Sequence, residues 1–143
     1  MTYTNSSIAL VDSYIAMWNE SDPGVRGKLV RDLWALDGAQ ILADPPEAAR
    51  ERAADLRFGP PSFEVHGRDA LEARVTRAYE MFVAPGEYRF QSNGVVHDLL
   101  KGLVTFAWEM VSTTDGTHAG GGVEVIDLDD NGRIRRDYQF IER

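Results

Sequence analysis

Cysteine is absent from the 143-residue chain. This absence excludes disulfides, thiolate catalysis and zinc sites built on cysteine. The three histidines, His66, His97 and His118, share no short metal-ligand spacing. The sequence therefore predicts no metal site, and nothing in it indicates a cofactor.

Basic residues are also few, since 15 lysines and arginines stand against 23 aspartates and glutamates, a formal net charge of −8. Nucleic-acid binding depends on a basic face that neutralises phosphates, so this balance argues against a nucleic-acid partner. Long apolar runs are missing as well, and without about 18 such residues in a row no membrane span is predicted. The first residues have neither the basic start nor the apolar core of a signal peptide, so we expect a cytoplasmic protein.

The apolar content, 43% of the residues, is that of an ordinary globular protein. A chain of this length buries about two-thirds of the surface that it exposes when unfolded. We therefore expect a single domain over 1–143 with a core that needs no metal or disulfide.

Helical signals dominate the first half of the chain. Ser6 or Ser7 can cap a first helix that carries apolar residues at helical spacing as far as Trp18. Asp22 and Pro23 are typical of the N-cap and first position of a second helix, which we expect to end at 37–38. A third helix is predicted from position 69 to the break at 84–86. An inserted, charge-rich helical segment is predicted at about 46–61, and its weak apolar stripe is typical of a mobile lid.

Strand signals dominate the second half. Four strand-like runs follow position 86, and Asn131-Gly132 lies between the last two. Asn-Gly between apolar-rich runs is the strongest short-range hairpin signal that a sequence offers. The chain is therefore predicted to be α+β, with helices packed on a mainly antiparallel sheet.

The strand from position 103 alternates between an apolar face and a mixed face. In an antiparallel sheet the apolar face should meet the helices and the mixed face should meet solvent or a partner subunit. The mixed faces carry more apolar surface than a monomer usually exposes, so we expect a homodimer through the sheet. The residues assigned to that outward face are Thr105, Ala107, Glu109, Val111, Glu124, Ile126 and Leu128.

Four stretches of the chain occur together in one order: Tyr14 to Asn19, Leu33 to Gly38, Phe63 to Leu71 and Asp129 to Glu142. Together they resemble the SnoaL-like branch of the nuclear transport factor 2-like superfamily. The resemblance implies a cone-shaped, cystatin-like roll in which three helices and a curved sheet enclose a pocket. Its members include ketosteroid isomerase, polyketide cyclases, limonene epoxide hydrolase, dehydratases and non-catalytic binding domains, so the fold alone does not settle the function.

The resemblance implies two catalytic residues. Asp44 matches the general-base aspartate of ketosteroid isomerase, which follows a similar strand and precedes a proline. Tyr14 matches the tyrosine that donates to the substrate oxygen. The alternatives are that Asp44 caps the helix that begins near position 47 and that Tyr14 is a core aromatic whose hydroxyl is satisfied by the backbone.

Ketosteroid isomerase completes its oxyanion hole with a protonated aspartate. Counting back from the last turn places Gly121 at that position, inside a run of three glycines. The sequence therefore predicts that half of the electrophilic machinery is missing. It also predicts that the glycines mark a bend or bulge in the sheet.

Several aromatic residues and one histidine are candidates for the pocket wall. Any one aromatic residue can equally fill the core, although a pocket of this fold needs several such residues. His97 is either a pocket acid or base or a surface residue. The candidate ligand-binding residues are Trp18, Trp34, Phe106, Trp108, Tyr138 and His97.

Two functions follow from these patterns. The first is a cofactor-independent isomerase, cyclase or dehydratase that moves a proton on a small apolar molecule with a carbonyl or ring oxygen. The second is a non-catalytic ligand-binding or dimerisation domain that uses the same pocket. A pocket-facing Asp44 would favour the first, and a helix-capping Asp44 would favour the second.

Overall fold

The computed structural model describes residues 2–43 and 63–142. Three helices pack on a sheet: α1 (Thr2–Asn19), α2 (Pro23–Leu33) and α3 (Arg68–Ala78), which continues as a π-helical turn (Tyr79–Val83). No helix in these two ranges is long and apolar enough to cross a membrane. The predicted helical insertion at about 46–61 lies outside the described residues, and so does Asp44.

Six strands form a single sheet: β1 (Trp34–Ala43), β2 (Phe63–His66), β3 (Tyr88–Leu100), β4 (Leu103–Ser112), β5 (His118–Leu128) and β6 (Ile134–Ile141). Their order across the sheet is β2-β1-β6-β5-β4-β3. Only the β1–β6 pair among them is parallel. This arrangement confirms the predicted α+β class with three helices on a mainly antiparallel sheet.

The second helix begins where the sequence predicts and ends earlier. The Asp22 side chain accepts hydrogen bonds from the backbone N–H groups of Gly24 and Val25, as an N-cap does. The helix ends at Leu33 rather than at 37–38, because the chain enters β1 and pairs with β6. Tertiary pairing overrides the helical spacing of Leu36, whose side chain is exposed.

The predicted terminal hairpin is present. The N–H of Gly132 donates to the carbonyl of Asp129 at 3.0 Å, and the N–H of Asp129 donates to the carbonyl of Arg133 at 2.8 Å. Gly132 has a φ of 80°, a conformation that residues with a side chain rarely adopt. This turn aligns β5 and β6, so it sets which side chains of the two strands face the helices.

The register of β5 corrects the predicted outward face. Phe106 pairs with Glu124, and directly paired residues lie on one face of a sheet. Glu124 and Ile126 are fully buried and face the helices, so their assignment to the outward face was wrong. Val111 is buried too, beside a register shift that follows Met110. Leu128 packs against the core as well, so it was also assigned wrongly. The most exposed apolar side chains on the outer face of β5 and β6 are Val123, Tyr138 and Phe140.

The three glycines of β5 pair regularly with residues 108–110, and the register shift falls beside them, at Ala119. A Cβ on Gly122 would lie 2.9 Å from the Trp108 ring and 2.7 Å from the carbonyl oxygen of Phe140. Close packing of the indole on the strand therefore needs glycine at position 122. This packing fixes Trp108 at one wall of the cavity described next.

Candidate functional site

A cavity of about 550 Å³ lies between the helices and the sheet. Its size is within the range of small-molecule sites. Most of its wall is apolar, and the polar contribution comes from a few side chains on α1, α3, β5 and β6. The described lining residues are Tyr14, Ile15, Trp18, Leu42, Phe63, Val65, Arg74, Arg77, Ala78, Met81, Phe82, Phe90, Trp108, Glu124, Gln139 and Ile141.

A hydrogen-bonded group of five buried residues lies against the cavity, and three of them, Tyr14, Glu124 and Gln139, line it. We call this group the floor cluster: Tyr14, Gln40, Glu124, Asp137 and Gln139. At its centre, the hydroxyl oxygen of Tyr14 lies 2.5 Å from Glu124 Oε1 and 2.6 Å from Asp137 Oδ2. Helix α1 supplies the phenol, and strands β5 and β6 supply the carboxyls.

The two short contacts at Tyr14 require two protons. A phenol carries only one, so one carboxyl must carry the second. Asp137 Oδ2 also lies 3.1 Å from the Gln40 amide nitrogen, so it accepts from two donors. Glu124 Oε1 likewise lies 2.7 Å from the Gln139 amide nitrogen, so the hydrogen bonds alone do not assign the proton. Burial and the charge of Asp137 raise the pKa of Glu124, which makes Glu124 the carboxyl that holds it. The chain of donors then runs from Glu124 to Tyr14 to Asp137.

Burial separates the acidities of these groups. Removal from water, followed by the nearby charge of Asp137, raises the pKa of Glu124 well above its usual value. Burial also raises the pKa of Asp137, to about 6, while hydrogen bonds from Tyr14 and Gln40 oppose the rise. Burial and the two carboxylates raise the pKa of the Tyr14 phenol. Two carboxyls whose acidities differ are the arrangement that acid–base chemistry uses.

One oxygen of each carboxyl, Glu124 Oε2 and Asp137 Oδ1, is buried without a hydrogen-bond partner among the described residues. Buried polar atoms are rarely left unpaired, because each costs free energy. Glu124 also lines the cavity. The floor therefore retains hydrogen-bonding capacity beside an apolar space.

The structure brings three of the predicted site residues to the cavity. Tyr14, Trp18 and Trp108 line it. Asp44 lies outside the described residues, but β1 reaches the cavity wall at Leu42, two positions earlier. The described lining residues do not include Trp34, Phe106, Tyr138 or His97.

Each of those four side chains has a physical reason to lie elsewhere. Trp34 is fully buried in the core, and Phe106 packs edge-on against the Tyr14 ring behind the floor. Tyr138 lies between two inward residues of β6, so strand alternation turns it to the outer face. His97 is exposed near the end of β3, opposite Thr105.

The position predicted to lack an acid has one close by. Gly121 carries no side chain, but Glu124, three residues later on the same strand, places its carboxyl against Tyr14. Glu124 is therefore a candidate for the acid that Gly121 cannot supply. The sequence contained a signal for it, because Glu124, Asp137 and Gln139 are polar residues at core-facing positions of their strands.

The sequence matches no protein-family model and no curated protein. Solved structures do match. A protein from Agrobacterium tumefaciens, named "putative isomerase of the SnoaL-like family", has a TM-score of 0.74 and 23% identity over 97% of this chain and 99% of that one. An NTF2-like protein of unknown function from Exiguobacterium sp. has a TM-score of 0.61 and 15% identity over 93% and 98%.

A third match, named "putative SnoaL-like polyketide cyclase", comes from Jannaschia sp.. It has a TM-score of 0.60 and 12% identity over 93% of this chain and 85% of that one. At such identities the similarity shows the fold. The resemblance predicted from the sequence is confirmed at that level: this chain has the fold of SnoaL-like proteins.

Proposed function

We propose that this protein binds a small apolar molecule that carries a carbonyl or ring oxygen and moves a proton on it, as a cofactor-independent isomerase or cyclase does. The observation that carries the proposal is the Glu124–Tyr14–Asp137 chain at the floor of an otherwise apolar cavity. Solved structures of the same fold with isomerase and polyketide cyclase in their names support it.

In the proposed reaction, the ligand oxygen lies at the floor and replaces Tyr14 as the acceptor of the hydrogen bond from protonated Glu124. That bond stabilises negative charge as it develops on the oxygen when a neighbouring C–H loses its proton. The surrounding apolar wall strengthens the interaction, because little water competes with it. Asp137 stays behind the phenol as the ionised partner of Tyr14.

The base in this proposal is Asp44, as the family resemblance implies. An aspartate beside the apolar wall would be a stronger base than one in water, because desolvation disfavours its charged form. Asp44→Asn keeps the size of the side chain and removes its basicity. We expect turnover to fall by about two to four orders of magnitude, the typical contribution of a general base.

A binding experiment tests the floor separately from the base. 2-Naphthol and naphthalene have the same apolar body, and only naphthol offers an oxygen. We expect naphthol to bind more tightly, by about tenfold, since one hydrogen bond to a buried group contributes on the order of 1.5 kcal/mol. Fluorescence titration of both compounds measures the difference.

Two variants test whether the preference for naphthol over naphthalene arises at the floor cluster. Glu124→Gln and Tyr14→Phe should each reduce it, because each alters a donor at the floor. Glu109→Gln is the matched control, since Glu109 lies on the other face of the sheet and does not line this cavity. Equal binding of naphthol and naphthalene by the unmodified protein would contradict the proposed floor.

A β,γ-unsaturated cyclic ketone tests the chemistry. Isomerisation to the conjugated ketone, followed by its ultraviolet absorbance, requires both a base and a donor to the oxygen. If naphthol binds at the floor and a panel of such ketones shows neither turnover nor exchange of the acidic C–H for deuterium, the binding-domain alternative replaces the proposed enzyme.

A further inference from the structure

Building on the proposed function, we propose that Arg74 is a positioning residue that holds the floor cluster at a single negative charge, with one proton on Glu124. Arg74 lies on α3 and reaches the cluster through two glutamines rather than through the carboxyls themselves. Its influence on the acid and its partner is therefore indirect.

The guanidinium fixes the direction of both glutamine side chains. Arg74 Nε donates to Gln40 Oε1, and Arg74 Nη2 donates to Gln139 Oε1 at 2.8 Å. A guanidinium has donors and no acceptor, so both amide oxygens must face it. Each amide NH₂ group then points away from Arg74, toward the carboxyls.

The two oriented amides reach different carboxyls. Gln139 Nε2 donates to Glu124 Oε1 at 2.7 Å, and Gln40 Nε2 donates to Asp137 Oδ2 at 3.1 Å. Gln40 Nε2 also lies 3.3 Å from the Tyr14 hydroxyl oxygen. Without Arg74, either amide could turn over and present its oxygen instead, which a carboxyl tolerates only when it is protonated.

The geometry at Tyr14 fits one shared proton and no other number. With no proton on either carboxyl, one of the contacts at 2.5 and 2.6 Å would join two oxygens without a hydrogen between them. With a proton on both, the buried Arg74 guanidinium would have no negative charge opposite it in the cluster. One proton satisfies both contacts and both amides.

The charges around the cluster are balanced by the same residue. Strands β5 and β6 contribute Glu124 and Asp137, and α1 contributes the Tyr14 phenol. The one cation that acts on both carboxyls, among the described residues, is Arg74. Strand β1 contributes the neutral Gln40, and β4 contributes the phenyl ring of Phe106. One carboxylate beside one guanidinium leaves the buried site neutral, which a low-dielectric interior favours.

Arg74 is itself held in place. Its guanidinium carbon lies 5.6 Å from the centre of the Trp18 ring, a distance at which a cation is attracted to an aromatic face. Arg77, one helical turn later, also lines the cavity but is largely exposed, and its described ionic partner is Glu80 at 3.9 Å. A comparison of variants at Arg74 and Arg77 therefore distinguishes a guanidinium that orients the glutamines from one that only adds charge at the cavity wall.

The experiment follows the protonation of the two carboxyls by ¹³C NMR of protein labelled in aspartate and glutamate side chains. In the unmodified protein, Glu124 should stay protonated at neutral pH and Asp137 should titrate near pH 6. In Arg74→Met we expect the pKa of Asp137 to rise by about one or more, at least a tenfold change in proton affinity. The cluster then holds two protons at neutral pH.

Two further variants separate orientation from charge. Arg74→Lys keeps the charge but lacks the planar fork that holds two amides. Gln40→Met keeps Arg74 and removes one oriented amide. Both should raise the pKa of Asp137, by less than Arg74→Met does, while Arg77→Met should leave it unchanged. If Arg74→Met does not fold, as judged by its amide NMR spectrum, Gln40→Met decides.

An unchanged Asp137 titration in Arg74→Met or in Gln40→Met overturns the proposal. A titration of Asp137 in Arg74→Lys that equals that of the unmodified protein also overturns the proposal, because charge alone would then suffice. These readouts need no substrate. A protein that titrates as expected but turns over no ketone would remove the proposed enzyme and keep the role of Arg74. Turnover of a ketone without the expected titration would keep the proposed enzyme and remove the role of Arg74.

Discussion

Glu124 and Glu109 lie on neighbouring strands of one sheet, and each accepts a hydrogen bond from a glutamine. Gln139 donates to Glu124 at 2.7 Å, and Gln91 donates to Glu109 at 2.5 Å. The pKa of Glu109 is lowered, mainly by its hydrogen bonds with His118 and Gln91. The pKa of Glu124 is raised, mainly by burial.

The difference between the two glutamates lies in the face of the sheet that each occupies. On the outer face, water solvates Glu109, and its partners only add to that stabilisation. On the inner face, Glu124 has lost its water, and two hydrogen bonds do not replace the lost solvation. Similar partners therefore accompany a lowered pKa on one face and a raised pKa on the other.

The largest expected contrast between the faces is in packing. Phe106 is 2% exposed on the inner face and Phe140 is 44% exposed on the outer face. Phe106→Ala should reduce the free energy of unfolding by about 3–5 kcal/mol, because it leaves a cavity behind Tyr14. Phe140→Ala should cost less than about 1 kcal/mol in a monomer.

Urea denaturation of both variants measures this contrast, and its dependence on protein concentration adds a second test. If two copies join through the outer face, as the sequence predicts, Phe140→Ala will cost more as the protein concentration rises. Equal losses for the two variants at low concentration would contradict the separation of faces.

The next contrast is in the pH dependence of stability. Asp137 has a raised pKa, from 3.8 to about 6, so the folded protein binds its proton more tightly than the unfolded chain does. Its contribution therefore favours folding at low pH and is lost as the pH rises between those two values. The loss is on the order of 3 kcal/mol.

Asp137→Asn cannot ionise, so the free energy of unfolding should fall less steeply between about pH 4 and pH 6, while the part due to the raised pKa of Glu124 remains. Urea denaturation across that range measures the change. Glu109→Gln is the control for the outer face, because the pKa of Glu109 is lowered whereas that of Asp137 is raised. A slope in Asp137→Asn equal to that of the unmodified protein would show that Asp137 titrates normally in the folded state.

The smallest expected effect belongs to His118. Glu109, and then Glu142, raise the pKa of its imidazole. A base with a raised pKa stabilises the folded state below its unfolded pKa, and this contribution is lost as the pH rises through the folded pKa. Because His118 is exposed, salt should screen the effect.

His118→Gln should remove a small, salt-sensitive decrease in thermal stability as the pH rises above 6.5. Thermal unfolding at low and high salt measures it. An effect that persists undiminished in high salt would place His118 in a less exposed environment than the structure gives it.

The sequence by itself determined the elements with strong local chemistry. The Asp22 cap, the Asn131-Gly132 turn and the alternation of β4 before its register shift appear in the structure where they were predicted, because each depends on a few adjacent residues. The overall class followed from their order along the chain, helices first and an antiparallel meander last.

Tertiary structure decided the site. Glu124 lies 110 residues from Tyr14 along the chain, and Asp137 lies 123 residues away, so no local pattern links the three. The register of β5 against β4 turned Glu124 inward, and the alternation of β6 turned Tyr138 outward. Residue types set which groups can exchange a proton, but burial set their pKa values, and burial depends on contacts that form only when the whole sheet is assembled.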